Sequence, residues 1–403
     1  MVYAQVFAKN NSASGSGISM NLLELREKIL QLPRDEVARH ARIEEHRLQE
    51  IEADEETITL SELEGLAMVY GINADLLAEN NISNALSPVL LARENGYKDF
   101  LSSEKLAILR ASRTIDDLTQ LIKIVRGDVA MAKESSVVEW RWNKSSIKAW
   151  EQGRDIAKLL RNELSLGNKP IDSSQLYREI AQKFPWLSVL YADLGEGGPS
   201  GLAFSRNRQQ PTIVLNVKGK NKSPAVLRVS FLHELYHILM DKQKGQPLAA
   251  FSKYNELREE MEQRANSFAI RFICPELVVR RMKNSRNGIQ NNAILIMNEY
   301  GLPYEAVRLY FKNLQIGALP QSIPEEIKEY CSQDRWSPCL PERIGNFPIP
   351  DTPYERRTSL ADLAVRAYKD NKIQRDKLAY FLGVAPAADL EACVDFVLSQ
   401  ETR

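Results

Sequence analysis

The chain is poor in sulfur and imidazole, with only four cysteines and four histidines in 403 residues. Cys274, Cys331, Cys339 and Cys393 are too scattered for a disulfide framework. No two of them form a C-x-x-C pair, so a structural zinc ribbon is not expected, and the pattern suits a reducing cytoplasm. Net charge is lacking too: 53 basic side chains balance 53 acidic ones. No global field therefore calls for nucleic acid or a membrane surface, and any such partner must be met by a local patch. No apolar run is long enough to span a bilayer, so a membrane partner is not expected. Residues 1–19 lack the basic start and apolar core of a signal peptide and read as a flexible tail.

What remains is globular, with 44% hydrophobic and 26% charged residues. The length exceeds one ordinary core. The expected fold is mostly α with an α+β part, in four units. Residues 20–80 carry apolar positions at helical spacing (Leu25, Ile29, Val37, Leu48, Leu63, Leu66) and read as five short helices. Residues 81–144 read as a helical connector. Residues 145–320 mix helices with strand-like runs: LSVLYADL, then GLAFSRN and PTIVLNV as a hairpin. Residues 321–403 read as a small helical unit after two proline-rich breaks.

The stretch FLHELYHILM places His233 and His237 one helical turn apart around Glu234. Residues at i and i+4 share a helix face, so two imidazoles at this spacing can bind one Zn²⁺. Ser223 is placed to cap this helix and Pro224 to occupy its first position. A glutamate beside the first histidine can take a proton from the attacking water and pass it to the leaving amine. A zinc ion acidifies water and polarises the scissile carbonyl. The third ligand is not a histidine: the other two, His40 and His46, lie far upstream. A carboxylate or Cys274 must serve. Glu262 begins a face of small residues, with Ala265, Asn266 and Ala269, that would pack on the histidine helix; Glu259, one turn earlier, is the reserve. PTIVLNV reads equally as an edge strand that pairs with an extended substrate or as an interior strand.

HELYH, followed by E-x-x-A-N-x-F-A-x-x-x-x-x-P over Glu262–Pro275, resembles the ImmA/IrrE family of zinc metallopeptidases. The likeness extends over about residues 145–320. It implies a zincin-like α+β domain, zinc held by His233, His237 and Glu262, and Glu234 as general base. It also implies a protein substrate, typically a transcriptional repressor in a stress-response, phage-defence or mobile-element programme. Tyr236 stands where the family usually has glycine, which would narrow the cleft or alter packing behind the helix.

Residues 34–77 resemble the Cro/repressor-type (XRE) helix-turn-helix family, which implies a dimer that reads DNA through Arg39, Arg42, His46, Arg47 and Gln49. The charge points the other way. Between Asn21 and Asn80 there are about six basic and about fifteen acidic side chains, whereas a DNA-binding unit carries a basic patch. Two expectations therefore stand for these helices: DNA binding, or contact with another protein. The alternative for the whole chain is a helix-turn-helix or antitoxin-like regulator whose zinc domain binds or senses without cleaving.

Overall fold

The structure, a computed structural model, describes residues 21–53, 57–72, 74–78, 100–127, 140–141, 143, 148–205, 210–241, 248–251, 259–284, 286–325, 327, 336 and 342–401. The expected tail, the first part of the connector, and Cys331 and Cys339 lie outside the described residues.

The N-terminal helices are α1 (Leu22–Glu24, continuing as a π-helical segment over Leu25–Leu30), α2 (Arg34–Ala41), α3 (Glu45–Glu52), α4 (Leu60–Tyr70) and α5 (Ala74–Ala78). Arg42, in the left-handed conformation (φ 59°), ends α2. A capping box starts α4: Thr59 accepts from the Glu62 N–H, and the Glu62 carboxylate accepts from the Thr59 N–H. Buried Arg26 and Glu52 pair inside this unit, and Arg34 adds a second bond to Glu52 at 3.1 Å. Deleting one member of such a pair would strand a buried charge.

The long helix α6 (Ser102–Arg126) leads to α7 (Ala149–Glu163) and α8 (Ser173–Lys183). Next come β1 (Ser188–Ala192), β2 (Gly201–Ser205) and β3 (Thr212–Asn216), then α9 (Pro224–Tyr236), which continues as a π-helical turn over His237–Asp241. Strand β4 (Leu248–Phe251) precedes α10 (Glu259–Ile273), α11 (Glu276–Arg281), α12 (Ile289–Tyr300) and α13 (Tyr304–Asn313). The chain closes with α14 (Glu342–Gly345), α15 (Ser359–Lys369), α16 (Arg375–Leu382) and α17 (Leu390–Glu401).

The four strands form one sheet in the order β1-β3-β2-β4. The β2–β3 hairpin is antiparallel, β1 runs parallel to β3, and β4 runs antiparallel to β2. Strand β3 is thus interior, which corrects the edge-strand reading of PTIVLNV; β1 and β4 are the edges. Every residue of β2 and β3 is buried, because both faces of the sheet are covered, and such strands read as unbroken apolar runs.

The two faces belong to different cores. Leu190, Ala192, Leu202, Phe204 and Val214 join α1–α6 and the C-terminal helices α15–α17. Tyr191, Ala203, Ile213 and Leu215 join α7–α14. The N-terminal helices, the long α6 and the C-terminal helices therefore share one hydrophobic core. Buried Asp117 on α6 fastens it: Arg356 pairs with it at 2.7 Å, and the Tyr380 hydroxyl donates to it at 3.1 Å.

Arg47 donates to Glu62 at 2.8 Å and to the Thr57 carbonyl at 2.9 Å. The Arg47 guanidinium, helped by the Thr59 N–H and hydroxyl against the effect of burial, holds the Glu62 carboxyl at about 2. A carboxyl depressed in the folded state stabilises the fold above its unfolded pKa, near 4.5, and loses that contribution as pH falls toward 2. Glu62→Gln is therefore expected to lower thermal stability at pH 7, with the difference from wild type shrinking between pH 4.5 and 2. Melting curves across that range would check this; a pH-independent difference would contradict it.

Candidate metal centre

Helix α9 lies beneath the sheet and is buried on nearly every side, from Ala225 through Tyr236. An apolar helix with no polar face belongs inside a core, so His233 (5% exposed), Glu234 (0%) and His237 (1%) are buried where water cannot solvate a charge cheaply. Pro224 holds the first helical position as expected. Ser223 sits at the N-cap, but its side chain makes no capping bond. At His237 the helix widens into the π turn, a form that concentrates at functional sites.

The two rings aim at one point. Their Nε2 atoms lie 3.1 Å apart. Glu262, one turn into α10, brings Oε2 to 3.0 Å from His233 Nε2 and Oε1 to 3.5 Å from His237 Nε2. Among the described residues, one ligand atom from each of His233, His237 and Glu262 lies within 4.8 Å of the others. Both Nδ1 atoms are engaged on the far sides of the rings: His237 with Asp241 Oδ2 at 2.6 Å, His233 with Asn266 Oδ1 at 3.1 Å. With a proton on each Nδ1 directed at these acceptors, two Nε2 lone pairs and a carboxylate would converge in a buried pocket. That donor set fits a zinc ion. Without a cation a proton takes its place: burial alone would lower the His233 pKa, but bonding to Glu262 outweighs it and pushes the ring up to about 9.

Glu234 stands outside the converging set, although its charge is felt at His233. It lies against Gly201, the first residue of β2. A Cβ added at Gly201 would fall 2.6 Å from Glu234 Cγ and 2.9 Å from Oε1. Only a residue without a side chain allows strand and glutamate to approach so closely.

Helix α10 reaches the site because small residues line its contacts. Ala265 and Ala269 are fully buried against α9, and Gly153 on α7 admits the Arg264 carbonyl, which would lie 2.1 Å from any Cβ there. Cys274, the other candidate ligand, lies in the core beyond the helix end, and burial pushes its thiol well above the ordinary range. A buried thiol of that kind is a poor source of the thiolate that metals require. Glu259 is the first residue of α10. Tyr236 points into the core against Phe268, with ring centroids 5.5 Å apart, so its bulk is taken up by the core.

The residues proposed to read DNA are elsewhere. Arg39, Arg42, His46 and Gln49 are exposed on and after α2 and along α3, and Arg47 is engaged by Glu62. Three residues of the metal centre escaped sequence reasoning as site residues. Asp241 carried a readable signal, an acid four residues after a ligand histidine; Asn266 was visible only as a small member of a helix face. Gly201 carried none, since its contact with Glu234 crosses from strand to helix.

The sequence model of the IrrE N-terminal-like domain matches residues 187–311. The matched stretch contains all four strands and all three converging ligands. The comparison with curated proteins gives no match.

Purified protein is expected to hold about one zinc per chain, lost in His237→Ala and in Glu262→Ala and retained in Glu234→Gln. Mass-spectrometric metal analysis checks this; zinc retained in Glu262→Ala would move the third ligand.

Proposed function

We propose that this protein is a regulatory zinc-dependent metallopeptidase that cleaves a protein partner, most simply a transcriptional repressor. The observation that carries the reading is the buried convergence of two imidazoles and a carboxylate, with a further carboxylate, Glu234, beside them and outside the ligand set. A zinc ion held by His233, His237 and Glu262 would acidify water and polarise a peptide carbonyl. Glu234 takes the proton of the attacking water and delivers it to the leaving amine nitrogen. Gly201 leaves the space that this carboxylate occupies, which a side chain on the strand would take. Burial of α9 keeps bulk water from the proton path. An extended substrate is expected to add to the sheet along β4, the edge strand nearest the π turn, by main-chain pairing.

The N-terminal helices fit a role in choosing the partner. Of their basic side chains, Arg26 and Arg34 serve Glu52, Lys28 pairs with Glu24, and Arg47 serves Glu62. That leaves Arg39 and Arg42 among many exposed acids, a poor match to a phosphate backbone. This composition favours contact with protein over DNA.

Cleavage is tested by terminal-amine proteomics on source cells expressing the wild type or Glu234→Gln. A new N-terminus in one protein, present with the wild type and absent with the variant, supports the reading. Identical N-termini in the two cultures would sink it, because Glu234→Gln keeps the ligands and removes only the proton acceptor.

A further inference from the structure

We propose that Asp241 and Asn266 are positioning residues of the metal centre, with Asp241 the stronger of the two. This deepens the metal reading above and rests on it. A neutral imidazole carries one proton, and its Nε2 offers a lone pair only when that proton sits on Nδ1. Asp241 Oδ2 and Asn266 Oδ1 are acceptors that cannot donate, and each faces an Nδ1. When a cation is bound, both rings are thereby set in the tautomer that turns an Nε2 lone pair toward it, beside the Glu262 carboxylate. The partners also fix the plane of each ring, so His233 and His237 do not need the cation to find their orientation.

The two contacts are unequal. The bond from His237 is short, 2.6 Å, and its acceptor is a carboxylate whose side chain is only 9% exposed, so solvent screens it little. The bond from His233 is 3.1 Å and goes to a neutral amide on an exposed residue. Their origins differ as well. Asp241 comes from the same π turn that carries His237, so ligand and support move as one piece. Asn266 lies four residues after Glu262 on α10, so the helix that gives the third ligand also steadies the first. Neither residue is in the converging ligand set, and neither replaces a ligand.

The test uses the full-length chain. Zinc affinity is measured by competition with a chromogenic chelator for wild type, Asp241→Ala, Asp241→Asn, Asn266→Asp and Asn266→Leu. Asp241→Ala is expected to weaken zinc binding about 10–100-fold. Asp241→Asn keeps an acceptor oxygen and should recover part of that loss, and it guards against a fold defect in the alanine variant. Asn266→Leu should lose less than Asp241→Ala, and Asn266→Asp should bind at least as tightly as wild type. In zinc-loaded protein labelled with ¹⁵N-histidine, wild type should show a protected Nδ1–H on both ligand rings, with the His237 signal lost in Asp241→Ala. A merely structural aspartate would lower the melting temperature and leave that signal alone. Wild-type binding with an unchanged Asp241→Ala overturns this inference alone. Absence of zinc from the wild type overturns the metal reading and this inference with it.

Discussion

Two imidazole nitrogens 3.1 Å apart, with a carboxylate oxygen 3.0 Å from one of them, cannot all turn lone pairs on one another in a buried pocket. A proton or a cation must sit there, and the rest of the molecule is arranged around that requirement. The i, i+4 spacing brings the histidines to one face. A core closed around α9 removes competing water. Small residues on α10 and Gly153 on α7 let the third ligand close in. Gly201 leaves room for Glu234 where a side chain would collide with it, and that carboxylate stays outside the converging set.

The sheet is the frame for this arrangement. One of its faces serves the core that carries the metal helix, and the other serves the core shared by the N-terminal and C-terminal helices. Asp117, with Arg356 and Tyr380, makes the C-terminal helices part of that same body.

Some of this was legible in the residues alone. The HELYH spacing announces the two imidazoles, and the small-residue face after Glu262 announces a helix that packs closely. The β2–β3 hairpin could be read from two apolar runs around a polar loop. Strand order could not: β3 is interior because β1, separated from it by the whole of β2, returns to pair alongside it in parallel. No local pattern encodes that partner. Strand β4 was missed because LAAF is short, has two alanines and shows no alternation. Arg47 looked like a residue free to meet DNA because its partner, Glu62, belongs to the next helix. Gly201 meets Glu234, and Asn266 meets His233, only in the folded chain.

The most direct test of the central claim is X-ray absorption at the zinc edge of the metal-loaded, full-length protein. The account predicts a four-coordinate zinc with nitrogen and oxygen neighbours at about 2.0–2.1 Å, multiple scattering from two imidazoles, and no sulfur. In Glu262→Ala the site should lose zinc or replace one oxygen neighbour. A sulfur neighbour near 2.3 Å, or a spectrum with fewer than two imidazoles, would contradict the ligand set on which the proposed chemistry stands.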